Sequence, residues 1–120
     1  MNILIAEDEF ATADAIQSLV ENMGHSTSWA CTGPEALISI EKKPCELLIL
    51  SAQLRDADIT HLLPALRRHH PDLPVVALTS RNSLSLEQQV RKLGVIYYLI
   101  KPLNTEELGS IVSHVSTKQA

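Results

Sequence analysis

Four short apolar runs in this 120-residue chain end in residues able to do chemistry. Glu7, Asp8 and Glu9 follow Asn2–Ala6, and Ser51 follows Glu46–Leu50. Thr79 and Ser80 follow Leu73–Leu78, and Lys101-Pro102 follows Val95–Ile100. Adjacent carboxylates repel unless a cation lies between them, and their hard oxygens suit Mg²⁺. Lys101 is the alternative cation, able to neutralise them directly. A serine hydroxyl with no base beside it is a poor nucleophile at neutral pH. Asp56 and Asp58 add two carboxylates just after Ser51, and Asp58 reads as a helix N-cap. Each group has a bland counterpart: acid complementing a helix dipole, Thr79-Ser80 capping the fourth helix, a surface lysine. Their shared position at the ends of separate runs singles them out.

The elements that must position these groups follow from periodicity. Asn2–Ala6, Glu46–Leu50 and Leu73–Leu78 are continuous apolar runs, the pattern of strands buried on both faces. Ser26–Ala30 is a more polar strand, and Val95–Ile100 is the fifth. Between them lie stretches of helical period: Phe10–Met23 closed by Gly24, a helix opened by Thr32-Gly33-Pro34-Glu35 and stopped at Lys42-Lys43-Pro44, Asp58–His69 with Pro64 inside, Leu84–Leu93 closed by Gly94, and Asn104–Val115. Strand and helix alternate five times with short connections. Right-handed crossovers then give a doubly wound parallel α/β sheet of order 2-1-3-4-5, with helices on both faces. A ligand site belongs beyond the carboxyl ends of its strands, where the first and third meet. That edge is where Glu7, Asp8, Ser51, Thr79 and Lys101 converge.

Composition bounds the rest. The net charge of −4 opposes sequence-independent nucleic-acid binding, which needs a basic face. No apolar run approaches the ~20 residues of a membrane span. MNILIAEDEF has no basic n-region and is not a signal peptide, so the cytoplasm is the expected compartment. Cys31 and Cys45 are read as reduced thiols. Arg67-Arg68 and His69-His70 read as a basic, solvated helix end, His61 completes no ligand set, and Trp29 reads as strand packing.

ILIAEDE, VVALTS and YYLIKP, each ending its strand in the expected order, carry a resemblance to the receiver domain of two-component response regulators over residues 1–120. The resemblance implies a flavodoxin-like (βα)5 fold and a phosphorelay signalling role, not an enzyme. It implies that Glu7 and Asp8 are the Mg²⁺ ligands, Thr79 the hydroxyl that contacts the phosphoryl group, and Lys101 its ammonium partner. Tyr98 holds the place of the aromatic residue that switches rotamer. Lys101–Pro102 is expected cis, as Lys-Pro often is in the family. Implied partners are a histidine kinase or an output protein. The face of the fourth helix, fifth strand and fifth helix is the expected surface for them or for a homodimer.

ELLILSAQLRDADI departs from the family pattern, with Ser51 at the phosphoacceptor aspartate, Arg55 at a proline and Ile59 at a glycine. Glu7 and Asp8 against Lys101 leave a site charge of about −1, against about −2 with a third carboxylate, so Mg²⁺ should bind weakly or not at all. The expectation is a pseudo-receiver acting by protein–protein contact without aspartyl phosphorylation. The alternative is a Mg²⁺-dependent phosphoryl-accepting regulator or small phosphotransfer enzyme using Ser51, Asp56 or Asp58. A serine kinase acting on Ser51 is a variant of it. A flavin-binding protein is disfavoured because Glu7–Glu9 would oppose a phosphate.

Overall fold

A computed structural model describes residues 1–119. Its elements run β1 (Asn2–Ala6), α1 (Phe10–Asn22), β2 (Ser26–Ala30), α2 (Gly33–Lys42), β3 (Leu47–Ser51), α3 (Ile59–His69), β4 (Val75–Thr79), α4 (Leu84–Lys92), β5 (Tyr97–Ile100) and α5 (Thr105–Gln119). The strands form one parallel sheet of order β2-β1-β3-β4-β5, as the alternation predicts. Among the described residues no helix is long and apolar enough to cross a membrane.

The apolar runs form the interior strands because both of their faces are covered. Leu4, Ala6, Leu48, Leu50, Val75 and Ala77 pack on one side with Ala36, Ile40, Leu63 and Val90, from α2, α3 and α4. Ile3, Ile5, Leu47, Ile49, Val76 and Leu78 pack on the other with Ile16, Val20, Leu108 and Val112, from α1 and α5. The period-2 alternation of side chains thus feeds two separate cores.

Local chemistry sets the helix ends. Thr32 Oγ1 accepts from Glu35 N at 3.1 Å, while Glu35 Oε2 accepts from Cys31 N at 2.9 Å, a reciprocal arrangement that opens α2. Asp58 Oδ1 accepts from Thr60 N at 2.8 Å at the start of α3, and Asn104 Oδ1 from Glu107 N at 3.0 Å in the first turn of α5. Gly24 and Gly94 take φ of 94° and 87° just after α1 and α4, a backbone that disfavours any Cβ.

The structure refines the sequence reading at element ends and at Arg67. Ser83, not Thr79 or Ser80, caps α4, its Oγ accepting from Leu86 N at 3.1 Å. β5 begins at Tyr97, because Val95 N turns back to Val90 O at 3.2 Å to finish the end of α4. β3 extends through Ser51, and α5 runs on beyond Val115 to Gln119. Arg67 is part-buried rather than free in solvent: its guanidinium donates to the carbonyls of Leu93 (3.0 Å), Leu73 (2.6 Å), His70 (3.2 Å), Pro71 (3.4 Å) and Gly94 (3.1 Å). Burial pushes the Arg67 pKa below its usual value, against the opposing pull of Asp72. One side chain thereby ties the end of α3 to the α3–β4 and α4–β5 connections.

Candidate functional site

Glu7 is one residue beyond β1, yet its N–H still reaches Ala30 O at 3.0 Å, so the strand alternation holds. Its side chain therefore leaves on the face of Ile3 and Ile5, and Glu7 is 0 % exposed. Lys101 continues the opposite edge, its N–H on Thr79 O at 2.8 Å. Lys101 Nζ lies 2.5 Å from Glu7 Oε1, and Glu7 Oε2 accepts from Asp8 N at 3.0 Å and Glu9 N at 3.5 Å. A buried carboxylate demands such partners, since an unpaired ion in the interior costs several kcal/mol. The Lys101–Pro102 bond is cis.

Ser51 closes β3 between β1 and β4 and is 1 % exposed. Among the described residues no carboxylate or imidazole is hydrogen-bonded to its hydroxyl, so no base is set to activate it. Thr79, 0 % exposed, ends β4. Its hydroxyl accepts from Arg81 N at 3.0 Å and from Gln53 Nε2 at 2.9 Å. It donates to Gln53 Oε1 at 3.2 Å, and Ser80 N reaches the same oxygen at 3.3 Å.

The remaining sequence candidates are engaged elsewhere. Asp56 Oδ1 accepts from Gly33 N at 3.1 Å, pinning the β3–α3 loop to the start of α2. Asp58 Oδ1 accepts from both the N–H and, at 2.7 Å, the hydroxyl of Thr60. Burial pushes the Asp58 pKa up, but the two Thr60 bonds with the charges of His61 and Arg81 outweigh it and leave the carboxyl below its usual range. Tyr98 is half-buried, its hydroxyl 3.2 Å from Arg81 O and 3.4 Å from Ser83 O. Tyr98 is thus fastened to the β4–α4 loop.

Residues Glu7 and Asp8 make a poor cation site. One Glu7 oxygen is committed to Lys101 and the other to backbone N–H groups, which leaves Asp8 as the available carboxylate. Among the described residues no three His, Cys, Asp or Glu side chains are grouped to hold a metal. A hard divalent ion needs several oxygen ligands, and this donor set fits it poorly. Gln53 is the residue that sequence reasoning misses. It lies two positions past Ser51 in a loop, where neither periodicity nor residue type says which way a side chain turns.

Residues 3–113 match the response regulator receiver domain family. The chain is 26% identical over 113 residues to the transcriptional regulatory protein ZraR of Klebsiella oxytoca, covering 94% of this chain and 26% of that one. It is 30% identical over 115 residues to the sensor histidine kinase GacS of Pseudomonas protegens, covering 92% and 12%. It spans about a quarter of the length of the first relatives it matches. Among solved structures it is similar to a two-component response regulator from Clostridium difficile, with TM-score 0.94, 27% identity and coverage of 99% and 98%. The receiver domain of the Francisella response regulator 1452 is similar at TM-score 0.91, 27% identity and the same coverage. With the doubly wound 2-1-3-4-5 sheet, the acidic pair after β1 and the lysine after β5, these matches establish that the chain belongs to the receiver domain family of two-component response regulators.

Proposed function

We propose that this receiver domain signals through protein contacts without aspartyl phosphorylation, with Ser51 standing at the position of the phosphoacceptor aspartate. The carrying observation is the Lys101–Glu7 pair at 2.5 Å: the ammonium available to an acyl phosphate is bonded to a buried carboxylate. Ser51 fits this reading because a hydroxyl without a base is neither an effective nucleophile nor an anionic metal ligand. Asp56 and Asp58 do not replace it, since each holds a backbone N–H elsewhere. We read the domain as a signalling module and not an enzyme. Its partners are a histidine kinase or an output protein, met through α4, β5 and α5, where Leu84 and Ile100 are exposed. The same face serves a homodimer. Nucleic-acid contact by this domain has no support in its charge of −4.

The test is incubation with acetyl phosphate and Mg²⁺, read by intact mass, on wild type and Ser51→Asp. No adduct is expected on the wild type. A wild-type adduct that disappears in Asp58→Asn or Ser51→Ala would overturn the proposal in favour of a phosphoryl-accepting regulator.

A further inference from the structure

We infer that Gln53 is an internal ligand of the receiver site, its side-chain amide taking the place of an incoming anion at Thr79 and Ser80 and holding the β4–α4 loop and Tyr98 in one arrangement. The inference deepens the function proposed above and rests on it for the meaning of Ser51.

A threonine hydroxyl offers one donor and two acceptor lone pairs. At Thr79 all three are used: Gln53 Nε2 and Arg81 N donate to it, and it donates to Gln53 Oε1. Gln53 Oε1 also takes the Ser80 N–H at 3.3 Å. An anion approaching the end of β4 thus finds the hydroxyl saturated and the adjacent N–H occupied. It would have to displace Gln53, while Lys101 is held by Glu7.

The amide is well suited to stay. Its backbone is fixed on both sides, since Gln53 bridges Asp58 and Leu54 exchanges hydrogen bonds with Ala57 at 3.1 and 3.4 Å. Leu54 is buried, and Asp56 anchors the same loop to Gly33. A pre-positioned side chain pays little ordering entropy and acts at high effective concentration, so a dilute anion competes badly. The amide is also neutral, so its place at a buried threonine carries no charge-desolvation cost.

The contact reaches further than the site. Thr79 Oγ1 holds Arg81 N, and Arg81 O receives the Tyr98 hydroxyl at 3.2 Å. Gln53, Thr79, Arg81 and Tyr98 form a continuous hydrogen-bonded path from the β3–α3 loop to the face of α4 and β5. Its occupancy depends on no phosphodonor.

The test compares wild type with Gln53→Ala and with Gln53→Asn, which keeps the amide but is one methylene too short. Amide resonances of Ser80 and Arg81 and ring resonances of Tyr98 should move in both variants, with those around Arg67 unmoved as a folding control. Unmoved Ser80, Arg81 and Tyr98 resonances would overturn the inference, whatever the phosphorylation result. In the second arm, Ser51→Asp alone should take phosphoryl from acetyl phosphate at least ten-fold more slowly than Ser51→Asp/Gln53→Ala. Equal rates would overturn the occlusion. A wild-type adduct would instead count against the function proposed above, because the resonance arm uses no phosphodonor.

Discussion

Lys101 and Glu7, 94 positions apart in sequence, meet at 2.5 Å across the carboxyl edge of the sheet, joining the end of β5 to the end of β1. Glu7 is wholly buried, whereas the Lys101 side chain keeps 20 % exposure. Lys101→Met should therefore destabilise the fold by about 1–3 kcal/mol, less than the ~3–5 for a fully buried pair because solvent reaches the lysine. Glu7→Gln/Lys101→Met should recover part of that loss by removing the stranded charge. Urea midpoints of the two single variants and the double variant measure it. A Lys101→Met midpoint equal to wild type would show the pair to be energetically idle.

Asp58 caps α3, and Asp58→Ala should cost about 1 kcal/mol. Its carboxyl titrates lower in the folded than in the unfolded chain, so its contribution is present above the unfolded pKa of about 4 and is lost as pH falls through the folded value. Asp58→Asn should keep most of the cap but flatten the stability profile as pH falls below the unfolded value. Parallel acid slopes for wild type and Asp58→Asn would contradict this.

At Gly33 the β3–α3 loop lies tight against the start of α2. A Cβ there would stand 2.9 Å from Ala57 Cβ, and that methyl has no flexible stem with which to retreat. Gly33→Ala should destabilise by about 1–3 kcal/mol, the usual range for overpacking. Gly33→Ala/Ala57→Gly should recover more than half of it, since the second change removes the opposing methyl. Thermal melts of the pair decide it, and a double variant no better than the single would place the strain elsewhere.

Arg67 offers a sharper contrast between two cations. Arg67→Lys keeps the charge but loses the planar fork that reaches five carbonyls at once. A loss of about 2 kcal/mol is expected, since hydrogen bonds to charged groups each contribute about 1.5–3 kcal/mol and a lysine can keep some of them. Hydrogen exchange at Val95 and Ile96, next to the bonded Leu93 and Gly94 carbonyls, should quicken in the same variant.

What the sequence made legible was whatever depended on period and on strand ends. The apolar runs at Ile3–Ala6, Leu47–Leu50 and Val75–Leu78 belong in the middle of a two-faced sheet, and the alternation with right-handed crossovers narrows that sheet to the parallel, doubly wound orders of which 2-1-3-4-5 is observed. Glu7, Ser51, Thr79 and Lys101 were legible because residues at the carboxyl ends of parallel strands border the switch-point crevice. Residues whose position depends on the path of a loop were not. Gln53 reaches Thr79 because its loop is pinned by Leu54 and Asp56, a long-range packing result that no local pattern encodes. Arg67 looked like one more cation on a basic helix end, but the carbonyls of the adjacent α3–β4 connection and of the distant α4–β5 connection close around it. Ser83 displaced Thr79 and Ser80 as the cap of α4 for a similar reason, since Thr79 belongs wholly to β4.

Trp29, the chain's single tryptophan, is 42 % exposed, and its indole N–H donates to the carbonyl of Glu7 at 2.7 Å. Its ring stands edge-on to Phe10, with centroids 5.7 Å apart. The backbone of the residue that carries the ion pair is thus wired to one fluorophore, with no second indole to dilute its emission. Reordering of the acidic loop, for example on loss of Lys101, should then change the emission of Trp29 without any label. The domain carries its own gauge at the edge of its site.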